Sequence, residues 1–328
     1  VGSEMCIRDR PYPARFRASL VMARIGRPFA GLFDAIKPLK PLAAMLKLAP
    51  GAVPAKSQVN APGVRPAEGP RKKRVALLRG CAQSVLDPKI NEATVRLLNR
   101  LGVEVVVPEG EGCCGALVHH MGQEEPALDF ARRNIDVWSR TADAGGLDAI
   151  IITASGCGTT IKDYGHMLRL DPAYAEKAAR VSAMAKDVTE FLYELELSLP
   201  VNATDLVVAY HSACSMQHGQ KITKAPKVLL AQAGFTVRDV PEGHICCGSA
   251  GTYNILQPEI AATLRDRKVK NIESIAPQAI ATGNIGCMTQ IGSGTGIPIL
   301  HTIALRDWAF GGEKPASLAA KGPVEELD

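Results

Sequence analysis

"VEVVVPEGEGCCGA" occupies residues 103–116 and "FTVRDVPEGHICCGS" occupies residues 235–249. Each begins as a run rich in β-branched residues, passes through Pro-Glu-Gly, and ends in two adjacent cysteines and a glycine. A β-branched run closed by Pro and Gly reads as a strand leading into a tight turn, so each cysteine pair is placed just past the carboxyl end of a strand. At an offset of 133 residues, Cys81, Cys113, Cys114 and Gly115 fall on Cys214, Cys246, Cys247 and Gly248; in both halves 31 residues separate the first cysteine from the pair. This is an internal repeat, and a repeat decides the architecture before any single element does.

The elements around the pairs repeat as well. "RVALLRGC" (74–81) and "LVVAYHSAC" (206–214) read as buried strands ending at a cysteine. "DPKINEATVRLLNRLG" (87–102) and "KAPKVLLAQAG" (224–234) place apolar residues three and four apart and close on a glycine, the pattern of a helix with its stop signal. Beyond each pair, residues 124–146 and 257–275 read as helices. "DAIIITASGC" (148–157) and "QAIATGNIGC" (278–287) then give a third strand running into Cys157 and Cys287. Strands alternating with helices at this spacing predict parallel βαβ units in an α/β fold. Parallel crossovers gather the loops at the carboxyl ends of the strands on one edge. Four thiols of each half should therefore converge, although they span 77 residues in the first half and 74 in the second.

The expected organisation is a basic, Pro-rich arm or connector over 1–74, a first cysteine-rich domain over 75–200 and a second over 201–328. Net charge supports the division: residues 1–74 carry 15 Lys+Arg against 4 Asp+Glu, and residues 75–328 carry 23 against 29. Residues 1–10 read like a translated adapter remnant and are set aside, Cys6 included. The "RKKR" of 71–74 is followed by no basic face, so nucleic acid is not an expected partner. No secretory signal pattern is present, and the long uncharged stretch between Glu273 and Arg306 is broken by Pro277, Pro298 and many Gly, Thr and Gln residues, unlike a transmembrane helix. "GSGTG" (292–296) lacks the context of a phosphate loop and reads as a turn. Residues 175–197 read as a bridge between the halves.

Four chemistries compete for the converging thiols. Disulfides suit secreted chains. Inert buried cysteines do not explain a 31-residue gap repeated with its CCG. A redox pair is usually spaced as CxxC. Metal binding fits best, since four thiolates hold either a zinc ion or the irons of a cluster. The absence of CxxC knuckles, together with a glycine after each pair that permits positive φ or close backbone approach, favours a cluster. His211, His119 and His120 are candidates to ligate or to tune such a centre. No nucleophile elbow, Walker motif or dinucleotide fingerprint is present, so no catalytic residue and no organic cofactor are expected on this chain.

The twin C-x31-CCG pattern resembles the cysteine-rich CCG domains of heterodisulfide reductases, lactate-utilisation proteins and glycolate oxidase iron-sulfur subunits. "GCCGALVHHMGQEE", "TASGCGTTIKDYGHML", "ICCGSAGTYNILQPEIAATLRD" and "NIGCMTQ" are most similar to the last, over positions 74–310. The resemblance implies two tandem, pseudo-symmetric, Rossmann-like parallel βαβ CCG domains with a basic N-terminal arm. It implies an electron-transfer subunit of a glycolate dehydrogenase complex: flavin-containing subunits oxidise glycolate to glyoxylate, and this chain passes electrons toward a quinone or another carrier. It further implies metal ligation by Cys81, Cys113, Cys114 and Cys157, and by Cys214, Cys246, Cys247 and Cys287, with a [4Fe-4S] cluster in at least one site and a cluster or zinc in the other. The implied location is cytoplasmic, with peripheral contact at the inner face of the plasma membrane. Two features depart from the pattern. The family's CxxCxxCxxxCP motifs do not occur, so the chain reads as lacking an N-terminal ferredoxin region. Ala154 and Asn284 stand where heterodisulfide reductase carries a fifth cysteine per site, which argues against direct disulfide chemistry. The alternatives are a CCG-cluster disulfide reductase, an iron-sulfur subunit of a lactate or glycerol-3-phosphate dehydrogenase, and a zinc-stabilised scaffold.

Overall fold

A computed structural model describes residues 7–195, 201–202 and 204–319; the expectation about residues 1–6, Cys6 among them, lies outside these. The first half forms a five-stranded sheet from β1 (Gly63–Arg65), β2 (Lys73–Leu77), β3 (Val103–Val107), β4 (Ala149–Ile152) and β5 (Ala185–Asp187), in the order β1-β3-β2-β4-β5. The second forms a four-stranded sheet from β6 (Val207–Tyr210), β7 (Thr236–Asp239), β8 (Ala279–Thr282) and β9 (Ile299–His301), in the order β7-β6-β8-β9. Every pairing is parallel except β1 with β3. With β1 set aside, the two sheets have the same topology, as the repeat demands.

Two strands differ from expectation. Residues 185–187 are not merely part of a bridge but pair with β4 as a fifth strand. β1, inside the N-terminal stretch, closes the sheet edge at β3. Each strand is only three residues long, too short for a periodic signal. "RKKR" runs into β2, and three of its four charges are paired: Arg71 and Arg74 with Glu104, Lys73 with Asp148. "GSGTG" is the turn between a helix and β9.

Successive strand residues point to opposite faces, and this alternation builds the molecule. Val75, Leu77, Val103, Val105, Val107 and Ile151 of the first sheet join Val208, Tyr210, Ala279 and Ala281 of the second in one apolar core that unites the halves. The alternate residues turn the other way: Ala76, Ile150 and Ile152 pack toward Cys113 and Cys114, and Ala209 and Ile280 toward Cys247 and Cys287. At the seam, helix Lys89–Arg100 buries Ile90, Ala93, Leu97 and Leu98 at helical spacing and packs on helix Thr302–Ala309. Asp307, with a side chain 1% exposed, accepts from Arg96 at 2.7 Å and Arg100 at 2.9 Å across this contact. His301 Nε2 bridges to the Thr153 carbonyl at 2.8 Å.

The arm folds into helices Pro13–Gly26, Ala30–Asp34 and Lys40–Leu48. Phe16, Leu20 and Ala49 are buried with Val85 of the first half, and Lys40 pairs with Glu259 of the second at 2.6 Å. Its outer face leaves Met22, Ile25, Phe29 and Leu32 more than half exposed. No described helix is long and apolar enough to cross a membrane.

Candidate metal centre

All eight repeat cysteines face one cavity of about 1070 Å³, whose remaining wall comes partly from the arm, through Phe16, Leu20 and Leu46 among others. All eight thiols are free. Each half delivers its four by the same devices. The first cysteine follows β2 in one half and β6 in the other, and the CCG pair follows β3 and β7. The third-element cysteine sits in the first turn of an eight-residue helix, Ser155–Lys162 for Cys157 and Ile285–Gly292 for Cys287. A helix N-terminus favours negative charge and so favours thiolate.

The glycine of CCG does two things. Gly115 has φ +81° and Gly248 φ +88°, both left-handed. Their amides donate to the first sulfur of the pair, Gly115 N to Cys113 Sγ at 3.4 Å and Gly248 N to Cys246 Sγ at 3.3 Å. A Cβ at Gly115 would sit 2.9 Å from the Ala127 carbonyl oxygen, and one at Gly248 2.4 Å from that of Ala261. The close approach is therefore to a helix backbone behind the pair. In the first half, Asn134 on that helix accepts from Gly112 N at 2.8 Å and donates to the Cys113 carbonyl at 2.9 Å, while Tyr164 donates to the Cys114 carbonyl at 2.8 Å. Counting from Ala127 and Ala261, which lie against equivalent glycines, Asn134 corresponds to Lys268, whose Nζ donates to the Glu242 carbonyl at 2.9 Å.

The thiols crowd one another. Cys81 Sγ and Cys113 Sγ are 3.6 Å apart. Hydrogen bonding with Cys113, reinforced by burial, pushes the Cys81 thiol up, and hydrogen bonding with Cys114 does the same to Cys113. Cys114 is also raised: a lowering hydrogen bond with Cys113 is outweighed by Cys157 and burial. In the second half Cys246 raises Cys214 and Cys247, whereas Cys246 and Cys287 are pulled down, Cys246 by hydrogen bonds from Cys214 and Cys247 and Cys287 chiefly by one from Cys247. Four such thiols cannot all ionise on their own. A multivalent cation at their centre removes the conflict, since it deprotonates the thiols that bind it. The donor set thus fits a thiolate-bound metal or cluster.

Several participants carried no signal in the sequence. Asn134, Tyr164 and Lys268 hold the CCG loops yet stand far from them in the chain. Asn284 caps its helix, accepting from Gly286 N at 2.8 Å and Cys287 N at 3.3 Å, whereas Ala154 provides no side-chain cap. Glu111, buried just before the first pair, accepts from Arg79 N at 2.8 Å and Arg79 Nε at 2.9 Å. Of the histidines, His119 and His120 are exposed, with His120 at the cavity rim; His211 is buried, and its ring lies against Cys247 and Cys287.

The CCG cysteine-rich domain profile matches residues 75–162 and 208–292. The glycolate oxidase iron-sulfur subunit of Escherichia coli K12 is 41% identical over 300 residues, covering 92% of this chain and 69% of that one. The probable glycolate oxidase iron-sulfur subunit of Bacillus subtilis is 32% identical over 254 residues, covering 76% and 56%. Lactate utilization protein A of Bacillus licheniformis is 30% identical over 235 residues, covering 70% and 96%. A crystal structure of a hypothetical protein from Helicobacter pylori superposes with a TM-score of 0.56 over 87% of this chain and 60% of that chain, at 12% identity, and so shares the fold.

Proposed function

The chain belongs to the glycolate oxidase iron-sulfur subunit family of CCG cysteine-rich proteins, and from that premise we propose that it carries electrons from a flavin-containing, glycolate-oxidising subunit toward a quinone-type acceptor. At the coarser level the chain is an iron-sulfur subunit of an oxidoreductase. One observation supports the finer reading above the rest: eight thiols, four from each half, face a single cavity walled in part by the arm.

In this reading Cys81, Cys113, Cys114 and Cys157 hold one centre, and Cys214, Cys246, Cys247 and Cys287 the other, with a [4Fe-4S] cluster in at least one and a cluster or zinc in the second. Bound clusters supply one-electron storage and transfer. The protein's part is to aim helix N-termini and glycine amides at the thiolates and to exclude water with the arm's apolar residues. Oxidation of glycolate to glyoxylate releases two electrons and two protons, and that chemistry falls to the partner, since this chain carries no flavin motif. The exposed apolar face at Met22, Ile25, Phe29 and Leu32, flanked by Arg24 and Arg27, suits docking on a partner or on a membrane surface from the cytoplasmic side. The 30% identity to lactate utilization protein A supports a second substrate reading, with lactate as the donor oxidised by the complex.

The test is iron, sulfide and zinc analysis with EPR on anaerobically prepared protein, followed by mixing with the glycolate-oxidising flavoprotein. Iron with acid-labile sulfide, reduced on adding glycolate only when the flavoprotein is present, is the expected result. Zinc at both sites and no iron overturns the proposal; reduction by lactate in place of glycolate selects the second donor.

A further inference from the structure

The second cysteine set has a neighbour that the first lacks. His211 lies one residue past β6, and its main-chain N–H donates to the Ala281 carbonyl at 2.9 Å. At the repeat offset Leu78 holds the same post past β2, its N–H donating to the Ile151 carbonyl at 3.0 Å. The Leu78 side chain packs in the apolar cluster that contains Cys113 and Cys114. An apolar residue thus satisfies this position in the first half, and nothing in the fold requires an imidazole in the second.

His211 is 1% exposed, and neither ring nitrogen has a nitrogen or oxygen hydrogen-bond partner among the described residues; the polar group it meets is the Cys287 thiol, which Cys247 first and the ring after it pull down. Burying a polar group away from nitrogen and oxygen partners costs free energy, a cost Leu78 does not incur. What the ring does approach is sulfur. A ring nitrogen of His211 and the Sγ atoms of Cys247 and Cys287 all lie within 4.8 Å of one another, and all three residues are buried. Imidazole and thiolate are both ligands for zinc and iron, and histidine replaces cysteine at one iron of some clusters.

Resting on the reading that this cysteine set holds an iron centre, we propose that His211 is a direct ligand of the second centre, making it a mixed thiolate and imidazole site while the first is thiolate alone. A neutral imidazole joins the thiolates without adding negative charge, and Lys268, coupled electrostatically to Cys214, Cys246 and Cys247, adds positive charge where the first half has Asn134. The second centre therefore has the higher reduction potential of the two, and electrons come to rest there.

The experiment uses the full chain with its iron centres in place, prepared once with natural-abundance nitrogen and once with ¹⁵N-histidine, and reads nitrogen hyperfine coupling in the reduced protein. The expected result is a directly bound imidazole signal that changes isotope pattern with the label. That signal disappears in His211→Leu, which copies Leu78, while the first-site spectrum stays unchanged. Iron at the second site without histidine nitrogen coupling, or coupling that survives in His211→Leu, overturns this proposal and leaves the electron-transfer reading standing. Zinc in place of iron at the second site overturns this proposal alone, because the electron-transfer reading allows zinc there; absence of iron from both sites brings down that reading as well. Should His211→Leu fail to fold, the isotope comparison on the unmodified chain decides alone.

Discussion

The Asn284 side chain donates through Nδ2 to Ser155 Oγ at 2.8 Å, tying the helix that presents Cys287 to the helix that presents Cys157. The same Asn284 caps its own helix through Oδ1. Ser155 also contacts Ser215 Oγ at 2.7 Å, next to Cys214. Asn284→Ala should cost about 1 kcal/mol for the cap and should also perturb both iron signals, because the lost contact spans the halves. A denaturant midpoint read together with EPR checks this; a stability loss with both spectra unchanged shows that the residue serves only as a cap.

Single-site lesions separate the centres. Cys247→Ser is expected to remove the iron signal of the second site and spare the first, and Cys114→Ser the reverse. Iron per chain should fall in each variant, and in the double variant to background. Retention of both signals in either single variant refutes the ligand assignment.

The CCG glycines should be intolerant to different degrees. Left-handed backbone costs a residue with a Cβ about 1–2 kcal/mol. Gly248→Ala adds a contact of 2.4 Å with a backbone oxygen, against 2.9 Å for Gly115→Ala. Gly248→Ala should therefore destabilise by at least ~2 kcal/mol, more than Gly115→Ala, and should lose second-site iron. Thermal unfolding with metal analysis provides the comparison.

Both halves depend on Asp307. Removing one partner of a fully buried pair costs about 3–5 kcal/mol. Arg96 and Arg100 have side chains 41% and 26% exposed, so they can rehydrate, and Asp307→Ala should cost roughly 2 kcal/mol. Urea unfolding measures it; an unchanged midpoint means that the seam is held by its apolar contacts alone.

Acid should weaken the same seam through His301. Burial pushes its imidazole down to about 4, against about 6.5 unfolded. The unfolded chain therefore binds the extra proton first. The stabilisation from the neutral ring is complete above pH ~6.5 and is lost as pH falls toward 4. Asp187, raised to about 6 by burial against its hydrogen bonds to Thr189, works in the opposite direction over nearly the same window. His301→Asn keeps a capping side chain and removes the titration, so its stability should fall less than wild type between pH 7 and pH 5. An equal loss in both proteins excludes His301 as the cause.

The path of the chain to each cysteine could be read from sequence because it is local: a β-branched run, a turn and a cysteine, repeated at a fixed offset. Parallel crossovers did the rest, and all eight thiols come to the expected strand ends. The joining of the two sets in one cavity could not be read, because it depends on which sheet faces meet, and alternate residues such as Val75 and Ala76 differ too little in character to say. The correspondence of Asn134 with Lys268 was hidden by a shift of one residue between the helices behind Gly115 and Gly248. The arm's place over the cavity had no signal either, since its helices carry apolar residues on exposed and buried sides alike.

One cavity for both cysteine sets has an electrical consequence. Salt screens charges that see one another through water over about 10 Å, but the space between these sets is bounded by protein and walled in part by apolar arm residues. Charge gained at one set is then felt at the other across one shared space, whose walls carry Arg8, Arg10 and Arg15 of the arm beside its apolar residues. The two halves, duplicated in sequence, bring their thiols to one space, so the energy of adding charge to either set depends on the charge already carried by the other.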